Sequence, residues 1–479
     1  MSMMRFSRLP IKRLTLLSIF ASALPLAGAW VTTGMDTLTH TRARKTVSMQ
    51  SLAVDNTGTL HAAWVERLGS APNYLLYSCK FPDSNWSTPE TIAETVAVHI
   101  ALTVEKNTGV AHIAFIQNFA DSAELSYAKK LCPGAWQVSQ ITKDTIQDWT
   151  PTIALESDSF VHIAWVTREP GIAFRIGYAT NRTATWETQI LRESQLGDFG
   201  TGAMPYLALS PAGIAHITYR GGNYPDYHIH HAENFCAGDT NWSYEVLSTA
   251  NQYDYTSALA AYLGEELFLV TSGNDGWGMP FRTHYLHRPP NSTTWDPYQR
   301  ITADASAEMQ GFCMDSRNVH ITWQLINGNI IAEQLYHLSN YTGRWFNSPI
   351  RADSHAIGGA ITIDTSHCGH VLAIIETPLD TELYCIHSAP FTGIAEQKNS
   401  YFTHWLRPSI IANGTIIQIP VATGSNVGIY TINGIKLRTV KPECDYLIFD
   451  CRDETGSVLP NGVYLLRSKN LEERIVIVR

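Results

Sequence analysis

One seven-residue outline returns along this chain at a nearly fixed interval, and it constrains the fold more than any other feature. Gly58-Thr59-Leu60-His61-Ala62-Ala63-Trp64 reappears as Gly109-Val110-Ala111-His112-Ile113-Ala114-Phe115 and as Phe160-Val161-His162-Ile163-Ala164-Trp165. It returns around His216-Ile217-Thr218-Tyr219, His320-Ile321-Thr322-Trp323 and His370-Val371-Leu372-Ala373. Glu266-Leu267-Phe268-Leu269-Val270 holds the intervening place with the histidine replaced. The successive steps are 51, 50, 54, 51, 53 and 50 residues. A period of this length indicates a repeat architecture.

Each repeat divides into four strand-length runs separated by turn residues. In the first, Ser51 to Asp55 is followed by a turn at Asn56-Thr57-Gly58, the strand through His61 and Trp64, Tyr74 to Ser78, and Thr88 to Ala93. A tryptophan marks the start of each fourth run: Trp86, Trp136, Trp186, Trp242, Trp295 and Trp345. Short strands of period two exclude helical solenoids of similar length. Four strands per unit of about 50 residues is the signature of a propeller blade. The expectation is a seven-bladed β-propeller. Its last blade lacks a closing tryptophan, and Trp30 to Leu38 is predicted to supply that strand and close the ring.

Flanking segments set the domain boundaries. Arg5, Arg8, Lys12 and Arg13 precede an apolar run from Leu14 to Leu26 and the small residues Ala27-Gly28-Ala29, the layout of a signal peptide over residues 1–29. The propeller is expected over 30–390, a linker over 391–406 and a small immunoglobulin-like β-sandwich over 407–479. Asn433-Gly434 is its strongest hairpin signal. The fold class is therefore all-β throughout. Eight cysteines would be free to pair after export; Cys368 with Cys385 and Cys444 with Cys451 are the pairs nearest in sequence. The net charge of −9, with no cluster of Lys or Arg beyond the first residues, argues against nucleic acid and anionic membrane as partners. No later run is long enough to span a membrane.

Two resemblances follow from these residues. Val427 to Gly434, Phe449 to Gly456, Asn461-Gly462-Val463-Tyr464-Leu465 and Glu473 to Arg479 resemble the type A sorting domain of the bacterial type IX secretion system. That resemblance implies outer-membrane export, with the domain read as an address by the export machinery. Cys451 stands where such domains commonly have glycine. The propeller resembles the sialidase-like, BNR-repeat type of exported protein, through the turn-then-tryptophan of Asp83-Ser84-Asn85-Trp86, Gly238 to Trp242 and Thr342-Gly343-Arg344-Trp345. No copy of the aspartate box, Ser-x-Asp-x-Gly-x-x-Trp, is intact, so the likeness implies the fold and not catalysis.

The repeated histidines fall one per blade, around a ring, which suits hydrogen bonding within each blade better than convergence on one ion. His228 and His230 share a strand face and are the metal candidates. Propellers bind at the channel mouth, and the loops there carry Arg67, Arg168, Arg220, Asp275, Trp277 and Glu376, beside Trp149 and Tyr253. Arginines fork to carboxylates and flat aromatics stack on sugars. The expected function is an exported, monomeric, non-catalytic binding protein for a glycan or a surface protein, without cofactor. The alternatives are a sialidase-like glycoside hydrolase and a surface scaffold contacting other proteins.

Overall fold

A computed structural model describes residues 29–391 apart from 39–47, 68–71, 131–133, 157–159, 169–173, 192–203, 224–225, 236–240, 248–252, 275–280, 303–306, 328–329, 341–343, 352–355 and 377–380. Beyond 391 it describes 409–412, 417–420, 427–431, 436–441, 446–449, 462–468 and 471–478. The chain divides into two compact units, Met1–Ala395 and Glu396–Arg479.

The first unit is a β-propeller, nearly all strand. It holds three four-stranded sheets and two eight-stranded ones. Each eight-stranded sheet consists of two antiparallel meanders joined by a single parallel pair, Gln147 with Ala123 in one and Tyr227 with Tyr253 in the other. Thr32–Thr37 pairs with Thr381–Pro390, so the chain's earliest described strand is the outer strand of its latest four-stranded sheet.

The second strand of each repeat is buried on both faces, which is why it reads as an unbroken apolar run and not an alternating one. Apolar clusters lie between successive repeats. One joins Val65, Leu75 and Tyr77 to Leu102, Ile113 and Phe115. Others join Ile116 and Leu125 to Ile163, Val166 and Tyr178 to Ile217 and Tyr219, and Ile229 to Leu269. Two more join Val270 to Ile321 and Leu335 to Val371. The series returns on itself, because Leu372, Leu383 and Cys385 pack with Leu52, Leu60 and Trp64.

The tryptophans link repeats. Trp136, Trp186 and Trp242 meet Tyr77, Tyr127 and Tyr178 edge-on, with centroids 4.9 to 5.1 Å apart. Trp345 meets Tyr285 the same way at 5.3 Å. In each case the tyrosine belongs to the preceding repeat, so one indole ties two units.

Two of the turns between first and second strands are built by aspartate. Asp55 Oδ1 accepts from the N–H groups of Thr57 and Thr59 at 2.9 Å each, and Gly58 adopts a left-handed φ of +84° that a side chain would strain. Asp364 does the same for Ser366 and Cys368.

Cys79, Cys313, Cys368 and Cys385 are free thiols. Cys368 and Cys385, one of the two pairs nearest in sequence, do not bridge, because register sets them apart: Cys385 lies opposite Leu372, whereas Cys368 lies opposite Pro390. Cys444 and Cys451 fall outside the described residues.

The second unit is also all strand among its described residues. Ser409–Ala412, Leu471–Val478, Gly462–Ser468, Val427–Thr431 and Lys436–Val440 form one sheet in that order. Ile417–Pro420 pairs with Tyr446–Phe449.

Candidate functional site

First strands carry a recurring irregularity at one place. Register breaks between Ser48 and Ser51, Val96 and Ile100, Trp149 and Thr152, Asp254 and Thr256, Met309 and Gly311, and Ile357 and Ala360. A bulge turns the strand end and re-aims its side chains, and bulges gather at sheet rims beside functional sites. Thr150 shows the cost locally, with a left-handed φ of +43°. Gly311 shows the crowding: a Cβ there would sit 2.1 Å from the carbonyl oxygen of Gly359 on the neighbouring first strand.

The same end of the strands carries the predicted arginines. Arg168 ends Phe160–Arg168 and is exposed, with its guanidinium 5.4 Å over the ring of Phe174. Trp149 lies 5.4 Å from Phe174 on the other side of the hairpin. Trp149, Phe174 and Arg168 thus form one cluster, the two rings tilted 56° to each other and both half-buried. In the next repeat Arg220, itself buried, lies 5.1 Å over Tyr227. The backbone of Tyr227 pairs with that of Tyr253, whose side chain lies outside the described residues. Arg67 ends Leu60–Arg67 and Glu376 ends Cys368–Glu376, so both share this end, their side chains outside the described residues. Asp275 and Trp277 lie outside the described residues, directly after the strand Leu267–Asn274.

Next to Trp149 on the same strand lies a carboxylate that sequence reasoning missed. Asp148 accepts from Trp165 Nε1 at 2.8 Å, from the Thr142 hydroxyl at 2.7 Å and from the Leu125 N–H at 3.3 Å. Burial pushes its carboxyl up to about 6, against the lowering effect of those donors and of Thr167. Trp165 lies flat across Gly177, where a Cβ would come within 2.3 Å of the indole. Asp254 occupies the equivalent place in a later repeat and is also fully buried. The recurring Asp-aromatic-Thr of Asp148-Trp149-Thr150 and Asp254-Tyr255-Thr256 was the available signal.

At the opposite end of the strands sit the repeated histidines. His61, His112 and His162 hold Tyr77, Tyr127 and Tyr178 through Nδ1 at 2.7, 2.6 and 2.5 Å. Their Nε2 atoms face Asp55, Glu105 and Glu156 at 3.6, 3.1 and 3.2 Å. A carboxylate only accepts, so in His112 and His162 Nε2 carries the hydrogen and Nδ1 accepts from the tyrosine hydroxyl. Burial holds the imidazoles of His61 and His162 below the usual range despite their carboxylates. Of the metal candidates, His230 stacks on Tyr219 at 5.4 Å, and His228 lies near enough to add to the burial that lowers its pKa. The side chains that converge instead are His216, His231 and Glu233.

No protein-family model and no curated protein matches the chain. Among solved structures it is similar to the phage phi92 endosialidase, at 11% identity and a TM-score of 0.46, over 91% of this chain and 79% of that one. It is similar to PorZ, a surface component of the type IX secretion system of Porphyromonas gingivalis, at 12% identity and a TM-score of 0.42, over 90% of this chain and 59% of that one. The β-propeller domain of the Trilobed protease from Pyrococcus furiosus is similar at 11% identity and a TM-score of 0.46, over 74% of this chain and 99% of that one. Likeness at this level carries no information on activity. Among the described residues no helix is long and apolar enough to cross a membrane.

Proposed function

We propose that the chain is an exported binding protein: a seven-bladed propeller that takes a glycan or protein ligand at the bulged end of its strands, without catalysis. Counting each eight-stranded sheet as two blades gives the seven, with Thr32–Thr37 as the outer strand of the last. Residues 1–29 direct export, and the unit after residue 396 is a β-sandwich read by a secretion machinery and not part of the binding site.

The observation that carries the reading is the cluster of exposed Arg168 with half-buried Phe174 and Trp149 beside a recurring bulge. Flat apolar faces edged by a guanidinium suit the faces and carboxylates of acidic sugars, or an acidic protein loop.

A hydrolase is the second reading, favoured by one observation: Asp148 has the raised pKa of a general acid. Yet Asp148 is 2% exposed and both of its oxygens are occupied by Trp165 and Thr142. It braces the indole and has no route to a substrate oxygen, which favours binding over turnover.

The test pairs a glycan array on the full chain with hydrolysis assays on sialosides and common aryl glycosides. Binding without turnover is expected. Turnover abolished by Asp148→Asn would replace this reading with the hydrolase.

A further inference from the structure

Two imidazoles in one repeat face each other in a way that a neutral pair does not explain. His216 Nε2 lies 2.7 Å from Glu265 Oε2, and His231 Nδ1 lies 2.8 Å from Glu245 Oε1. Each of those nitrogens must carry hydrogen, because a carboxylate offers none. The remaining nitrogens, His216 Nδ1 and His231 Nε2, are then both bare, and they stand 3.2 Å apart. Glu233 Oε2 adds a third electron-pair donor 3.3 Å from His216 Nδ1. His216, His231 and Glu233 each offer one ligand atom within 4.8 Å of those of the other two. In the repeats that hold His61, His112 and His162 this conflict does not arise, since a tyrosine hydroxyl donates where His231 stands.

We propose that His216 Nδ1, His231 Nε2 and Glu233 Oε2 bind a divalent cation of the zinc class. Two nitrogens each ~2.0–2.1 Å from zinc at a tetrahedral angle lie about 3.3–3.4 Å apart, which the 3.2 Å separation matches. Glu265 and Glu245 take the outer role that carboxylates play behind metal-bound histidines, fixing ring orientation and tautomer. Trp295 Nε1 in turn donates to Glu245 at 2.8 Å. Charge agrees: Glu233, Glu245 and Glu265 are faced by Arg288, which pairs with Glu233 at 2.8 Å, leaving two negative charges for a dication. Glu265 and Trp295 belong to the following repeat, so the ion fastens two neighbouring units at the end of the strands away from Arg168.

The repeat holding His370 supplies the contrast. His370 Nδ1 and His387 Nδ1 stand 2.8 Å apart, with Asp364 and Asp36 behind them at 3.1 and 3.0 Å. Lys80 pairs with Asp36, so one negative charge remains and one shared proton satisfies it. No third donor joins that pair among the described residues.

The test strips the full-length protein with a chelator and titrates it with zinc against a chromophoric competitor, then with cobalt to read its visible spectrum. One tight equivalent and an intense tetrahedral cobalt band are expected. His231→Tyr, which installs the tyrosine of the other repeats, should weaken that equivalent by at least ~100-fold, and Glu233→Gln by ~10–100-fold. His387→Tyr should leave it in place. Absence of a tight equivalent in the parent protein would overturn the proposal and leave a shared proton between the rings. Equal zinc binding by the His231→Tyr and Glu233→Gln variants would overturn it as well.

Discussion

Trp30 sets its indole 5.4 Å from the imidazole of His337, while its backbone N–H donates to Ser348 Oγ at 2.8 Å and its indole N–H to Thr32 Oγ1 at 3.0 Å. This is the contact that Trp136 makes with Tyr77 and Trp186 with Tyr127, made here by the chain's earliest described strand. Replacing Trp30 removes a buried ring and leaves Phe391 and His337 without their neighbour. Trp30→Ala should therefore destabilise by about 3–5 kcal/mol, measured by chemical denaturation. A loss below about 1 kcal/mol would mean that this strand contributes little to the closed unit.

Gly177 has no room for a side chain beneath Trp165. Gly177→Ala should cost about 1–3 kcal/mol and displace the indole from Asp148. Near-ultraviolet circular dichroism would register the change in tryptophan packing together with the fall in stability.

Asp148 titrates near 6 because burial disfavours its charge. Its folded pKa lies above its unfolded one, so its contribution to stability falls as pH rises from about 4 to about 6. The indole hydrogen-bonded to it should report the event. Tryptophan emission should show a titration with a midpoint near 6, and Trp165→Phe should abolish that component.

His320 and His337 work in the opposite sense. Burial lowers His320 to about 3 and holds His337 well below the usual imidazole range. Both stay neutral in the folded protein while the unfolded chain takes up protons, so the stability they provide is present above about 6.5 and is lost as pH falls toward 3. His337→Tyr, which copies the pair of the earlier repeats, should reduce by one the protons taken up on unfolding at pH 5. Proton uptake is read from the slope of unfolding free energy against pH.

The repeat was legible because each part of it answers to a local pattern. His61 and Tyr77 lie on strands whose lengths and turns are written in the sequence, and their pairing follows from the shared period. Trp30 was legible because it opens a segment that the seventh repeat lacks. Register was not. Cys368 and Cys385 look like partners by spacing, yet the hairpin sets them opposite Pro390 and Leu372. His228 and His230 share a face of one strand, whereas the converging donors come from His216 on one strand and His231 and Glu233 on the next. The cluster of Trp149, Phe174 and Arg168 joins three strands through a bulge, and a bulge leaves no single-residue mark.

On the proposed reading, the bulged end of the strands binds ligand through Trp149, Phe174 and Arg168. Titration calorimetry of the full chain with the tightest array glycan, in the parent protein and in Arg168→Ala and Trp149→Ala, tests it most directly. Each substitution should weaken binding by at least ~10-fold. Arg168→Ala should leave thermal stability nearly unchanged because the guanidinium is exposed, whereas Trp149→Ala also removes a half-buried ring from an apolar cluster and should lower it. Unchanged affinity in both variants would contradict the account and move the binding surface elsewhere.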